Sequence, residues 1–535
     1  MKKTTAFILA LVMLLGLAAC GGQASPEAVT AAPVQESQAP VETGAAAAEE
    51  PIILNLQGSS LGYPNPFKHS GKGQGTIKMW ELYDALLEKD EKGLVPWLAT
   101  DYSVSDDGLT YTFTIREGVK WSDGEDLTPA DVVFTYNYYR DFDPVVSNLV
   151  VDGEYIVKDA VDNGDGTVSV TVGDVLATNL AAIAYIPIIP EHIWKDIDDP
   201  FNYSGAGDNV GSGPYLLNAI DEEKGEYQMV ANPLFWGKRY IEGINYIAVS
   251  DDVLAFDNGE IDYLNAPWDL YEKYANEPGC KASSNLPFLG YNLVFNHLAN
   301  ENLADVNVRR AIAYSIDRQQ IVDMVFNGHG TVASAGYLPE GHPMRNDNVT
   351  AYAPDLDKAK ELMDGRSFSV NLKCGDSKEQ IDVCELIKMY LAEIGIDVQV
   401  ISCDSATLSD AKKTGDYDMV MNYGGGWGSD ADSLHSMYAG WDPESEKALY
   451  SGAVLGYYNE ELYELALQQQ RTVDVAERTK LVYRMQEIIA DELPSLPILN
   501  VYDMLVTRPS TYDGWIFRYD YNYSDGVKLS FCGAE

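Results

Sequence analysis

Between Asp418 and Asp432 the chain reads DMVMNYGGGWGSDAD, and this stretch holds residue types suited to gripping a ligand. Asp418 to Tyr423 starts as a strand, and Gly424-Gly425-Gly426-Trp427-Gly428 breaks it. Glycines let a second backbone approach closely, and a strand edge offers free N–H and C=O groups. The segment is not a phosphate loop, because no Lys-Ser/Thr pair follows the glycines. Hydrolytic chemistry has little support here: the chain contains no His-Glu-x-x-His helix, and Gly211-Ser212-Gly213 lacks the spacing of a nucleophile elbow. The six histidines form no ligand cluster and none of the six cysteines stands in Cys-x-x-Cys spacing, so no metal site and no cofactor are expected.

The elements that must position this stretch alternate between strand and helix patterns, which gives the class α/β. Leu109, Tyr111, Phe113 and Ile115 alternate with Thr110, Thr112 and Thr114, a strand with one buried face. Asp107-Gly108 is a turn signal, and Tyr102 to Ser105 is the partner strand. Thr128, Pro129 and Asp131 open a helix whose apolar stripe is Val132, Val133, Tyr136 and Tyr139. Thr76 to Lys89 reads as an amphipathic helix. Asp159 to Thr167 reads as a hairpin turn rather than a calcium loop, because the closing Glu of an EF-hand is missing. Asp305 and Asp317 cap the helices Val306 to Ser315 and Arg318 to Val325, with Arg309 and Arg310 read as surface pairs. Ser369 to Lys373 and Val398 to Ser402 read as parallel neighbours joined by helix Lys378 to Glu393, which leaves a Cys374–Cys403 bridge and free thiols both open. Glu461 to Asp491 is a long helical stretch ended by Pro494 and Pro497, and Ile498 to Val501 is a strand.

The whole chain sets outer bounds. A length of 535 residues supports two or three domains. The 37 basic and 82 acidic residues give a formal charge of −45, which argues against nucleic acid or an anionic lipid surface as a partner. Lys2 and Lys3 precede an apolar run from Ala6 to Leu15 that is too short to span a bilayer, so Met1 to Cys20 reads as an export signal. Residues 21–50 are rich in Ala, Glu, Pro, Ser and Gln without apolar periodicity, a flexible tether.

Several motifs resemble a known family. LVPWLA from Leu94 and LTYTFTIREGVKWSDGEDLTPADVVFT from Leu109 are similar to the signature of family 5 extracellular solute-binding proteins, the peptide and nickel receptors of ABC importers. GSGPY (211–215), NPLFWG (232–237), FDNGEID (256–262) and VRRAIAYSIDRQQIVDMVFNG (308–328) follow in the family's order. Leu17-Ala18-Ala19-Cys20 resembles a bacterial lipobox, which implies cleavage before Cys20 and a lipid on it. The resemblance implies a two-lobed, periplasmic-binding-protein-like (type II) fold with an extra subdomain in the first lobe. The expected layout is a signal peptide over 1–19 and a tether over 20–50. Lobe I covers 51–286, with the subdomain at roughly 77–210; lobe II covers 287–500, and the chain returns to lobe I over 501–535.

The implied function is a lipid-anchored, extracytoplasmic receptor on a bacterial cell membrane that delivers an oligopeptide to ABC transporter permease subunits by hinge closure. In peptide-binding relatives the pattern Gly-Trp-x-x-Asp supplies an Asp that takes the peptide's α-amino group; here it falls on Gly426, Trp427 and Asp430. The backbone of Gly426 to Gly428 would extend the peptide as an added strand from Tyr423, and Trp427 would cover a side-chain pocket. Many relatives carry a Pro shortly after this Asp, where this chain has Ser433-Leu434, so Asp432 is a second candidate. Tyr63 in the first loop and Trp268 after strand Ile261 to Leu264 complete the candidate set. The rival ligand is an oligosaccharide, for which nine Trp and 35 Tyr could supply stacking platforms. A nickel chelate, an exported hydrolase and a purely sensory receptor are further alternatives.

Overall fold

A computed structural model of the protein describes residues 51–71, 74–151, 153–284, 289–424, 430–450, 452–502, 504–516 and 527–534. The signal and tether expected over 1–50, including Cys20, lie outside the described residues. Strand β1 (Ile53–Gln57) opens the folded body, and helix α1 (Gln74–Leu82) follows. Strands β2 (Ala99–Val104), β3 (Thr110–Ile115), β4 (Val157–Asp162) and β5 (Thr167–Val172) form an antiparallel sheet in the order β2-β3-β5-β4. Tyr111, Phe113 and Ile115 are buried while the threonines between them face outward, as a period of two requires. Helix α2 (Pro129–Asp141) packs on this sheet. Its start is tied by Asp131, whose Oδ2 accepts from the Thr128 N–H at 2.8 Å and the Thr128 hydroxyl at 3.1 Å.

Strands β6 (Tyr215–Asp221), β7 (Glu226–Ala231) and β8 (Gly243–Ile247) join β1 in a second sheet, where β1 and β8 run parallel. Short strands β9 (Tyr263–Asn265) and β10 (Lys281–Ser284) come next. The largest sheet has six strands: β11 (Leu289–Phe295), β12 (Gly330–Val332), β13 (Phe368–Gly375), β14 (Ile396–Cys403), β15 (Met419–Gly424) and β16 (Ser495–Val501), in the order β12-β16-β11-β15-β13-β14. Its helices are α3 (Val306–Ser315), α4 (Arg318–Phe326), α5 (Lys378–Ala392), α6 (Ser405–Thr414), α7 (Ser433–Tyr438), α8 (Glu460–Arg471) and α9 (Val475–Glu492). The two faces feed two cores: Leu293, Phe295, Met419 and Met421 enter one, and Val294 and Val420 the other. Strand β17 (Met504–Thr507) then returns to pair with both β9 and β10.

Several sequence expectations need correction. The helix read over Thr76 to Lys89 ends at Leu82, and Leu87–Lys89 is a strand. The close approach of Gly211 and Gly213 terminates it. The Gly213 N–H donates to Leu82 O at 2.9 Å, and a Cβ on Gly211 would stand 1.9 Å from that oxygen. The stretch from Glu461 to Asp491 is two helices, because Asp474 caps a new one by accepting from the Glu477 N–H at 2.9 Å. Arg309 is not a surface residue: it is buried, and its guanidinium donates to the carbonyls of Leu303, Glu492 and Leu493. That arrangement satisfies carbonyls left open at the end of α9. Strands β13 and β14 are parallel neighbours as expected, but Cys374 pairs with Ser402 and Cys403 with Gly375. The one-residue offset puts the two thiols on opposite faces of the sheet, and both are free. The neighbouring Cys384 thiol lowers the pKa of Cys374.

The first group of sheets is tied together at a buried charge cluster. Lys528 donates to the Tyr83 carbonyl at 2.8 Å, to Asp84 Oδ1 at 2.7 Å and to Glu88 Oε1 at 2.7 Å. Asp84 also accepts from Trp97 Nε1 at 2.7 Å, the Ser212 hydroxyl at 2.9 Å and Trp236 Nε1 at 3.2 Å. Burial alone would lower the Lys528 pKa; Asp84 and Glu88 outweigh it and hold the ammonium above its ordinary range. Lys528→Met leaves two buried carboxylates without their counter-ion and will lower stability by about 3–5 kcal/mol. Urea unfolding of the two proteins at neutral pH checks this, and an unchanged midpoint contradicts it.

Candidate functional site

Strand β15 carries the site because its two edges differ. On one side it pairs with β11 along its whole length, from Phe295–Met419 to Gly290–Gly424. On the other, pairing with β13 is confined to Leu372–Met419 and Lys373–Val420. Among the described residues no strand covers that second edge from Met421 onward. Backbone groups on such an edge are available to an added strand. Tyr423, near the end of β15, is 40% exposed and rests on Tyr291 with ring centroids 4.8 Å apart. Tyr291 meets Phe326 at 5.4 Å, and Phe326 meets Trp268 at 6.3 Å. The candidates Tyr423 and Trp268 therefore belong to one aromatic row that leads from β15 to the segment after β9.

Gly426, Trp427 and Gly428 lie outside the described residues. The chain is described again at Asp430, and the two acidic candidates stand together there. Asp430 Oδ1 accepts from the Asp432 N–H at 2.9 Å. Arg478 on α9 grips Asp430 with two parallel bonds, Nη1 to Oδ2 at 2.6 Å and Nη2 to Oδ1 at 2.7 Å. The pair is asymmetric: the Arg478 side chain is 5% exposed and that of Asp430 40%. Gln469 on α8 supports both partners. Its Oε1 accepts from Arg478 at 2.7 and 2.9 Å, and its Nε2 donates to Asp432 Oδ1 at 3.0 Å. Buried His342 lies close by. Its Nδ1 accepts the Met344 N–H at 3.0 Å, and burial pushes its pKa down to about 4 against the opposing pull of Asp430. The ring is accordingly neutral at pH 7, and the formal charges of Asp430, Asp432 and Arg478 leave one net negative charge.

Tyr63 is not brought to this cluster. Its hydroxyl donates to Asp208 at 2.9 Å and Lys68 sits 4.5 Å over its ring. Burial, reinforced by Asp208, raises its pKa. Two further contacts bridge the two groups of sheets. The Ala177 N–H donates to the Gln470 carbonyl at 2.8 Å, and Arg471 pairs with Asp174 at 3.0 Å. Gln470 also reaches His435 Nδ1 at 3.1 Å, so the last turn of α8 touches α7 and the loop after β5 at once.

Arg478 and Gln469 were missed from the sequence. A signal existed: Arg478, Val482, Met485 and Ile489 follow helical spacing and are all buried, which puts a guanidinium on an apolar stripe. Among the described residues no group of three or more His, Cys, Asp or Glu could hold a metal ion.

Residues 93–446 match the family described as bacterial extracellular solute-binding proteins, family 5 Middle. The chain is 31% identical over 299 residues to Protein XP55 of Streptomyces lividans, covering 55% of this chain and about half (53%) of that protein. It is 26% identical over 469 residues to the oligopeptide-binding protein AppA of Bacillus subtilis, covering 79% and 81% of the two chains. The solved complex of the B. subtilis AppA with a nonapeptide superposes with a TM-score of 0.67 over 91% of this chain and 100% of that one, at 21% identity. The ABC transporter substrate-binding protein CtaP of Listeria monocytogenes gives a TM-score of 0.78 over 90% and 99%, at 24% identity. These likenesses establish the two-lobed periplasmic-binding-protein fold.

The asymmetric burial of the Asp430–Arg478 pair has a thermodynamic consequence. Asp430→Asn strands a guanidinium in the interior and will cost about 3–5 kcal/mol, whereas Arg478→Met leaves a carboxylate that reaches water and will cost less. A double-mutant cycle by chemical denaturation checks the order, and equal costs contradict it.

Proposed function

Because the chain belongs to the bacterial extracellular solute-binding proteins of family 5, we propose that it captures an oligopeptide between two lobes and hands it to the permease of an ABC importer. The names of its relatives support a peptide ligand. The observation that carries the reading is the edge of β15 left without a described strand partner, followed along the chain by Asp430 and Asp432, which with Arg478 carry one net negative charge. The peptide adds to that edge as a strand, with the backbone of Gly426 to Gly428 continuing the contact and Trp427 covering a side chain. Its α-amino group docks on Asp430, whose Oδ2 keeps an acceptor site beyond the one Arg478 uses, with Asp432 adjacent. Arg478 fixes the carboxylate, and the second carboxylate supplies the charge that an ammonium balances.

The lobes are taken as 51–286 and 287–500, with 501–535 returning to the first. Closure about the crossing segments brings them together on the ligand. The Arg471–Asp174 pair suits such a movement: its side chains are 52% and 55% exposed, so parting them costs about 0–1 kcal/mol. Cys20 carries the lipid that holds the receptor at the membrane, and residues 21–50 are the tether.

Two experiments test this reading. Mass spectrometry of small molecules released by denaturing the purified protein should yield short peptides; a sugar or a metal chelate overturns the peptide assignment. With a peptide so identified, calorimetry should show Asp430→Asn weakening binding by about 1.5–3 kcal/mol. N-acetylation of the peptide should weaken binding to the unsubstituted protein by a similar amount and leave the variant nearly unaffected. Small-angle scattering with and without saturating peptide should show contraction, and superimposable profiles contradict hinge closure.

A further inference from the structure

A cavity of about 460 Å³ opens beside β15 on the face opposite Tyr423. Val420 and Asn422 of β15, Val294 of β11, Lys412 of α6, Met437 of α7 and Tyr417 form much of its wall. The volume suits a side chain or chain terminus with accompanying water.

Its charge is opposite to that of the protein. The chain carries 82 acidic against 37 basic residues, yet the described lining includes Lys412 and Lys413 and no aspartate or glutamate. Several lysines elsewhere in the molecule pair with carboxylates, as Lys373 does with Asp416 at 2.7 Å and Lys528 does with Asp84 and Glu88. Lys412 does not. Its described contact is one donor bond to Asn422 Oδ1 at 2.5 Å, and none of the described carboxylates pairs with it. An ammonium keeps three donors, so at least one is left to point into the cavity. Burial lowers its pKa, and no neighbouring acid offsets that effect. A half-buried cation held by a neutral amide is costly until an anion joins it.

The cavity is placed to act on the same ligand. β15 and α7 lead into and out of the segment that bears Asp430 and Asp432, and both also wall the cavity. A strand added to β15 sends alternate side chains to the face that Val420 and Asn422 occupy.

We propose that this cavity is an anion subsite in which Lys412, steadied by Asn422, receives a carboxylate of the bound peptide. The inference rests on the peptide reading above. The carboxylate comes from an acidic side chain at one fixed position or from the C-terminus; both present the same acceptor to the ammonium. The apolar Val294, Val420 and Met437 in the same wall lower the local dielectric and strengthen the pairing. The protein thereby selects peptides bearing a negative group at a set distance from the amino terminus.

The test uses the full-length protein and a mixed library of peptides of two to nine residues, in free-acid and C-terminally amidated forms. Retained peptides are read by mass spectrometry. The unsubstituted protein should enrich carboxylate-bearing peptides tenfold or more, Lys412→Met should abolish the enrichment while still retaining peptides, and Lys412→Arg should preserve it. Enrichment of Asp or Glu at one position identifies a side-chain carboxylate, whereas loss of retention on amidation identifies the C-terminus. Retention without preference for acids, or equal enrichment by Lys412→Met, overturns the subsite and leaves the peptide reading intact. Retention of no peptide overturns both. Matching circular dichroism and melting temperatures for the three proteins exclude misfolding as the cause.

Discussion

The first group of sheets depends on neutralising one buried ammonium. Lys528 arrives from the far end of the chain and is buried between Asp84 and Glu88, while Asp84 spends its remaining acceptor capacity on Trp97, Ser212 and Trp236. Each partner belongs to a different stretch of sequence, so one carboxylate fixes the mutual positions of five segments. The desolvation cost of burying these charges is offset only when every partner is in place. That makes the cluster a device for specificity of assembly as much as for stability. Gly211 and Gly213 belong to the same economy of space: their missing side chains let the loop that carries Ser212 lie against the end of α1.

The second group solves a different problem. Its six-stranded sheet buries both faces, yet one of its inner strands is paired along only part of one edge. β13 ends its pairing with β15 at Val420, and along the rest of β15 no strand among the described residues pairs with that second edge. An open edge is an aggregation hazard unless it is protected. Here the chain surrounds it with polar and charged groups, Asn422 and Lys412 on one side and the Asp430–Arg478–Gln469 network beyond its end.

The local grammar of this fold is plain in the sequence. Alternation fixes β3, and Asp305 and Asp317 cap α3 and α4 by accepting the N–H groups of Asn307 and Gln320 at 2.8 and 2.9 Å. Expectations fail where distant segments intervene. α1 stops early because a glycine loop more than a hundred residues away meets its last carbonyl, and Arg309 leaves the surface to serve the end of α9. The site follows the same rule. A glycine-broken strand with acids behind it is visible as a candidate binding segment, and Asp430 and Asp432 do stand together. What Asp430 touches is not visible, because Arg478 lies 48 residues on and reaches it only through tertiary packing. Lys412 is harder still: nothing in Lys412-Lys413 distinguishes a solvated pair from one that faces an acid-free cavity.

The placement of Lys528 also sets a timetable. The six-stranded sheet is built entirely from residues 289–501, a continuous run of sequence. The group that begins the chain is not continuous, because it waits for β17 and then for Lys528, and a final bridge joins Lys238 and Arg239 to Gly533 and Cys532. A chain emerging N-terminus first therefore holds its earliest folded segments unfinished until its last residues appear. The part made first is completed last. Loss of the residues around Lys528 would therefore harm the beginning of the folded body before its middle.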